Sequence, residues 1–230
     1  MTDGETRRRA KSERPLQPLR PDLPDVALLA EELPVELRGI EMRERHLSAA
    51  DLSGCDAARV QLIECRIEGV DLSGAVLRRA SISDTVVEGG SWANVDAFDA
   101  TLKRVEMHGV RLTGAVLAAS KISDATFIDC RIDLSSIRSG HLERIRFENC
   151  RMDEMDFYEA TLSSVVFAGC DLTKASLAKA TFVRCEMRDC ELIDVGNPER
   201  LRGVGMPWSD VVRQAAVLAQ GVGVHILDDD

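Results

Sequence analysis

Every fifth residue from Met42 to Leu192 is apolar, through 31 positions with no slip or insertion. In a chain whose apolar fraction is 45%, one fixed register would produce this by chance with a probability on the order of 10⁻¹¹. An α-helix needs a period of 3.6 and a flat strand a period of two, so neither can hold the pattern. A second column lies two residues earlier, from Ile40 to Cys190. Of its 31 members, 25 are Ala, Val, Cys, Ile or Met; the exceptions are Arg45, Thr85, Gly90, Ser120, Ser135 and Gly140. The unit is therefore small, polar, large, polar, polar. In extended chain, residues two apart share a face, so the small and large residues point inward together. The last two must turn the chain, and Ser53-Gly54, Ser73-Gly74, Thr113-Gly114 and Ser123-Asp124 carry turn chemistry. Turning units of this kind stack into a solenoid around a continuous axial core.

The units Ala50-Asp51-Leu52, Val70-Asp71-Leu72 and Cys170-Asp171-Leu172 resemble the A(D/N)LXX motif of the pentapeptide-repeat family. The resemblance covers residues 40–195. It implies an all-β solenoid, a right-handed quadrilateral parallel β-helix with twenty residues per coil. On that basis the repeats make about 7.75 coils and a rod about 37 Å long at the usual strand spacing. The resemblance also implies a binding role. Some relatives, the quinolone-resistance proteins, bind DNA gyrase through acidic faces that imitate B-form DNA, and dimerise through a C-terminal helix.

The segments outside the repeats divide in three. Residues 1–20 are polar and basic (Arg7, Arg8, Arg9, Lys11, Arg14, Arg20) and read as a disordered, solvated tail. Residues 21–39, with Leu28-Leu29 and Val35-Glu36-Leu37, read as an N-terminal cap. Residues 196–230 read as a C-terminal cap, since a solenoid end exposes core and unpaired backbone. Within it the sequence predicts a helix over about 210–220, with Ser209 as N-cap and Gly221 as terminator. A short strand follows over 222–227, and then an acidic tail. The helix carries little polar surface, so it plugs the final coil or forms a homodimer contact.

Net charge is −10, which argues against a duplex-wrapping basic protein, so no direct nucleic-acid binding is expected. No run of eighteen apolar residues suggests a membrane span. The opening MTDGETRRRA has no apolar segment after it, and the chain reads as cytoplasmic. Residues 40–194 hold 26 acidic and 19 basic side chains. Dealt by repeat into four walls, the nets are 0, −3, −4 and 0, with the two acidic walls adjacent. That acidity is modest for a DNA mimic.

All seven cysteines (Cys55, Cys65, Cys130, Cys150, Cys170, Cys185, Cys190) occupy the small inward column. They read as small buried hydrophobes kept reduced, with no CxxC spacing and no metal expected. On the outward column beside them stand Asp51, Asp71, Ser91, Arg111, Arg131, Arg151, Asp171 and Glu191. The three arginines should lie on successive coils, with Asp133, Asp153 and Glu154 as available partners. This strip is the strongest candidate partner-binding surface. Phe98 and Tyr158 fall at outward positions and form a candidate apolar contact. Trp92 is oversized for the core, so a distortion or an exposed contact spot is expected near residues 85–99. Phe127, Phe147 and Phe167 should stack inside.

Catalysis has little support. His46, His108, His141 and His225 fall on different columns, and no nucleophile triad, phosphate loop or dinucleotide motif assembles. No cofactor is expected. The sequence therefore points to a non-enzymatic, rigid protein-binding scaffold. A DNA-mimicking gyrase modulator is the alternative, and a carbohydrate-acting β-helix enzyme a remote one.

Overall fold

The computed structural model describes residues 14–23, 29–30 and 37–227. Five eight-residue strands form its centre: β6 (Ser81–Glu88), β7 (Thr101–His108), β8 (Lys121–Ile128), β9 (His141–Glu148) and β10 (Thr161–Ala168), each parallel to the next. The register is twenty residues throughout, as in Leu102↔Ile122 and Phe127↔Phe147. Shorter strands continue the stack at either end. Before it come β1 (Leu29–Ala30), β2 (Glu41–Arg43), β3 (Arg45–Ser48), β4 (Gln61–Ile63) and β5 (Arg66–Glu68); after it come β11 (Thr181–Val183) and β12 (Glu186–Arg188). β1 pairs with β3 at the first coil's edge. The architecture is a parallel β-solenoid of about seven turns with a short C-terminal helical part.

Each long strand bends through one corner and so supplies two walls, the first (residues 101–104 in β7) and the second (105–108). The third and fourth walls pair through single bridges down the stack, such as Arg111↔Arg131 and Val116↔Ser136. The corners that leave the third and fourth walls close a β-turn bond, Ala115 N–H to Leu112 O at 2.9 Å and Ser120 N–H to Leu117 O at 3.2 Å.

The backbone explains the period of five. The last residue of every repeat, from Glu44 to Asp194, has positive φ, 31 corners in succession. Seven are glycine and 24 are not. A left-handed residue costs about 1–2 kcal/mol unless it is Gly, and most when it is β-branched. None of the 24 is Val, Ile or Thr, and none is aromatic. The corner column thus selects against stiff side chains as strictly as the inward column selects for apolar ones.

Of the 31 large inward residues, 29 are buried; Leu52 and Phe182, near the two ends, are half-buried. Phe127, Phe147 and Phe167 stack at 5.0 and 5.2 Å between centroids, and Phe157 meets Phe167 edge-on at 6.3 Å. Trp92 is buried with the rest. The distortion expected there lies at Gly90, whose φ is +81, and at the turn after it, where Val95 N–H to Trp92 O lengthens to 3.4 Å. A Cβ at Gly90 would lie 2.3 Å from Val70 O, so only glycine admits this path. The rungs on both sides lengthen to 3.2 Å (Ser91 N–H to Val70 O, Arg111 N–H to Gly90 O) without losing register.

The C-terminal segment differs from its sequence reading. A 3-10 turn (Pro198–Leu201) leads to two short helices, α1 (Trp208–Arg213) and α2 (Ala215–Gly221), with Pro207 rather than Ser209 at the first N-cap. The single helix breaks at Gln214, whose side chain turns inward to donate to Cys190 O at 3.0 Å. Asp210 accepts from Asp189 N–H at 2.8 Å. Gly205 adds a last rung, accepting from Met187 N–H and donating to Cys185 O, both at 2.9 Å. These contacts cover β12 and the corner after it, while β11 keeps β10 as its one strand partner. Residues 222–227 form no strand.

The N-terminal reading also changes. Residues 14–23, assigned from sequence partly to a solvated tail, run extended across the coils. Leu19 N–H donates to Asp124 Oδ1 and Asp22 N–H to Asp84 Oδ1, both at 3.2 Å. Basic composition hid a series of prolines three apart, Pro15, Pro18, Pro21 and Pro24, of which Pro24 lies outside the described residues. Residues 1–13, with the remaining basic cluster, lie outside the described residues.

Candidate partner-binding wall

The third wall is set by the outward column. Continuous bridges run Asp51↔Asp71↔Ser91↔Arg111↔Arg131↔Arg151↔Asp171↔Glu191. The strip is thus one straight file of rungs. Its acidic members are partly architectural. Asp51, Asp71 and Asp171 each accept the backbone N–H two residues on, from Ser53, Ser73 and Thr173, at 2.8–3.0 Å. These Asx turns fold the chain toward the next corner. Hydrogen bonds from the Ser53 side chain and backbone also hold the Asp51 carboxyl below its ordinary range.

The arginines have no such task. Arg111, Arg131 and Arg151 are all exposed. Of the partners expected for them, only Asp153 engages, 3.8 Å from Arg151 Nε. Asp133 is occupied by the Thr113 hydroxyl at 2.7 Å. The guanidinium groups of Arg111 and Arg131 have no ion pair or hydrogen bond among the described residues. Beside them Leu134 occupies a left-handed corner (φ 57) with 57% of its surface exposed. Sequence reasoning missed it, because its signal is an apolar residue out of its column at a corner that favours glycine.

The fourth wall is self-satisfied. Arg38, Arg78 and Arg138 pair with Asp56, Asp96 and Asp156 at 2.6–2.8 Å. Those carboxylates also cap Ala58, Phe98 and Tyr158 N–H. Tyr158 lies between Arg138 (4.3 Å from the ring centre) and Lys179 (4.8 Å), and Lys179 Nζ donates to its hydroxyl at 2.6 Å. Phe98 is exposed. The two aromatics lie in one column three coils apart, about 14 Å at strand spacing, so they do not form a single contact.

The cysteines form no disulfide, and the hydrogen bond from Cys150 holds the Cys130 thiol below its ordinary value. All seven thiols are free, and all but Cys55 are buried. Cys130 and Cys150 donate to carbonyls at 3.3–3.4 Å. The neighbouring thiol and burial push Cys150 and Cys170 up to about 12. Among the described residues no cluster of three His, Cys, Asp or Glu side chains could hold a metal. Among the described residues no helix is long and apolar enough to cross a membrane. His46 and His108 each approach a single carboxylate, Glu68 and Glu106.

A sealed core with all distinctive chemistry on its outer walls defines a repeat solenoid of the scaffold type. The sequence matches the models for "Pentapeptide repeat region" over residues 100–177 and 140–196 and for "Pentapeptide repeats (8 copies)" over 46–79. These segments together span more than half of the chain, which belongs to the pentapeptide-repeat family.

No curated protein matches the sequence. Among solved structures the chain is similar to HetL, a pentapeptide repeat protein involved in heterocyst differentiation regulation from the cyanobacterium Nostoc sp. strain PCC 7120. Identity there is 18%, over 76% of this chain and 93% of that one, with a TM-score of 0.38. It is similar also to QnrB1, a plasmid-mediated fluoroquinolone resistance protein, at 16% identity, over 83% and 92%, with a TM-score of 0.39. Rfr23 from the cyanobacterium Cyanothece 51142 matches at 14%, over 65% and 92%, with a TM-score of 0.39.

Proposed function

We propose that the protein is a non-enzymatic scaffold whose third wall, Arg111, Arg131 and Arg151 with Leu134, receives an acidic surface of a protein partner. The observation that carries this reading is the pair of unpartnered arginines on adjacent rungs. Like charges on neighbouring rungs destabilise the free sheet, and an anionic ligand reverses the sign of that cost. Arginine is among the residue types enriched in hot spots, and Leu134 adds exposed apolar surface beside the charged file. Asp51, Asp71, Asp171 and Glu191 flank the arginines and set the register of the partner. The test is affinity capture from the source cell with wild type beside R111E/R131E/R151E. A partner retained by wild type and lost by the variant, at equal melting temperature, supports the reading. Equal capture by both overturns it.

The gyrase-modulator alternative is tested with the same two proteins in a supercoiling assay. Inhibition at micromolar protein or below, stronger in the charge-reversed variant, would put DNA mimicry first. No effect from either removes it.

A second contact is favoured by the cap. Trp208 is 79% exposed, and Val212, Val222, Val224, Ile226 and Leu227 of the same C-terminal segment are exposed as well. Exposed apolar side chains at this end favour homodimerisation through the C-terminal helices. Sedimentation should show a dimer that Trp208→Lys shifts to monomer; a wild-type monomer at high concentration removes this reading.

A further inference from the structure

The corner between the first and second walls has a period of two coils, not one. At Ser83-Asp84-Thr85-Val86, Ser123-Asp124-Ala125-Thr126 and Ser163-Ser164-Val165-Val166 the side chains are short. On the coils between stand Lys103, Arg104 and Glu106, then Glu143, Arg144 and Arg146. The result is a row of notches between taller teeth. Each tooth grips the notch before it. Arg104 donates two bonds to Asp84 at 2.5 Å, and Arg144 two to Asp124 at 2.7 and 2.8 Å. The notch floors are closed: Asp84, Asp124 and Ser164 are buried, and so are Val86 and Val166, although their column points outward.

Residues 14–23 cross this row with a period of three. Pro15 is buried and Pro18 and Pro21 half-buried, while Leu16, Gln17, Leu19, Arg20 and Asp22 are exposed. The amide after Pro18 reaches Asp124, and the amide after Pro21 reaches Asp84, two coils away. A β-strand would send the N–H groups of residues 19 and 22 to opposite sides. A polyproline II helix, with three residues per turn, sends them to the same side. Its rise of 3.1 Å per residue gives about 9.3 Å per turn, and two coils at strand spacing give about 9.6 Å. The two periods agree.

We propose that this corner is a polyproline-binding groove, filled here by the chain's own residues 14–23, and that it takes a proline-rich segment of a partner protein with the same PxxPxx spacing in their place. The notches read the spacing, and the carboxylates, fixed by their arginines, read the amide that follows each proline. The third notch fits the same scheme. Leu16 is three residues before Leu19, Ser164 is two coils beyond Asp124, and the buried Ser164 Oγ has no hydrogen-bond partner. The cis segment sets the threshold, because a tethered ligand competes at an effective concentration in the millimolar range.

The test uses the full chain with Pro15, Pro18 and Pro21 replaced by glycine, which removes the preformed helix from the cis segment and leaves the groove intact. A fluorescent peptide of residues 14–23 is titrated against it and against wild type. The glycine variant should bind at least tenfold more tightly than wild type. One glycine inserted between Leu19 and Arg20 of the peptide should cost at least tenfold. Ser164→Asp in the glycine variant should tighten binding severalfold by supplying the third carboxylate. Indifference to the inserted glycine, or no binding to a variant with an unchanged melting temperature, overturns the proposal. If the variant does not fold, hydrogen exchange on wild type decides. Leu19 and Asp22 amides should be slowed at least tenfold relative to Gln17 and Arg20, and equal rates overturn the proposal. A wild-type dimer that the glycine substitutions abolish would make a second copy the occupant and overturn the partner assignment.

Discussion

Stacked rungs carry charge in opposite ways on two sides of this solenoid. At the corner between the first and second walls the signs alternate, Asp84, Arg104, Asp124, Arg144, and each carboxylate is gripped by the arginine one coil on. On the third wall the file runs Arg111, Arg131, Arg151, with one long contact to Asp153. Both files obey the same repeat and spacing. Alternation lets the charges be buried and become part of the structure; repetition of one sign leaves them in water with unspent valence. Charge content alone therefore says little about a wall. The order of signs up the stack decides whether its charges are absorbed into the structure or left in water.

The largest break in this comparison should come from Arg144→Ala. It strands Asp124, whose side chain is 2% exposed, and removal of one partner of a buried pair should cost about 2–4 kcal/mol by urea denaturation. Arg131→Ala should move stability by no more than about 0.5 kcal/mol. Similar losses from both would erase the distinction. Acid attacks the same side. Burial works to raise the Asp84 carboxyl, but hydrogen bonds from Arg104 and the Asp22 amide hold it low; for Asp124, Arg144 and the Leu19 amide do so against burial. With folded values below the ordinary 3.8, their contribution is full above that pH and is lost as pH falls through the lowered values. Exchange at Leu19 and Asp22, corrected for intrinsic rate, should thus stay slow at pH 5 and accelerate only well below pH 4.

Smaller effects concern the corners. Ser139→Val puts a β-branched side chain at φ 55 and should cost about 1–2 kcal/mol, read as a lower thermal midpoint. Leu134→Gly should do the reverse, gaining about 0.5–1 kcal/mol while weakening capture of the partner proposed for the third wall. A gain in stability with undiminished capture would detach Leu134 from binding.

The five-residue period made the core legible down to single side chains, because inward position depends only on a local count along the chain. The arginine file was legible for the same reason, once twenty residues were taken as one coil. The N-terminal segment was not. Its prolines register against residues 60 to more than 100 positions away, and nothing local ties Leu19 to Asp124. Gln214 was equally hidden, since its role is fixed by a carbonyl at Cys190 on the last coil. Leu134 was visible as an irregularity, but only the left-handed backbone shows that its placement has a cost.

The match between polyproline turn and coil pair makes residues 14–23 a ruler for the solenoid's growth. Insertion of one twenty-residue coil between Asp84 and Asp124 would move one carboxylate by half a notch and leave an amide facing a tooth. Insertion of forty residues, with one more proline triplet in the ruler, would restore every contact. Lineages of this chain that keep the ruler should therefore gain or lose coils in even numbers, although each coil is by itself a complete layer of the core.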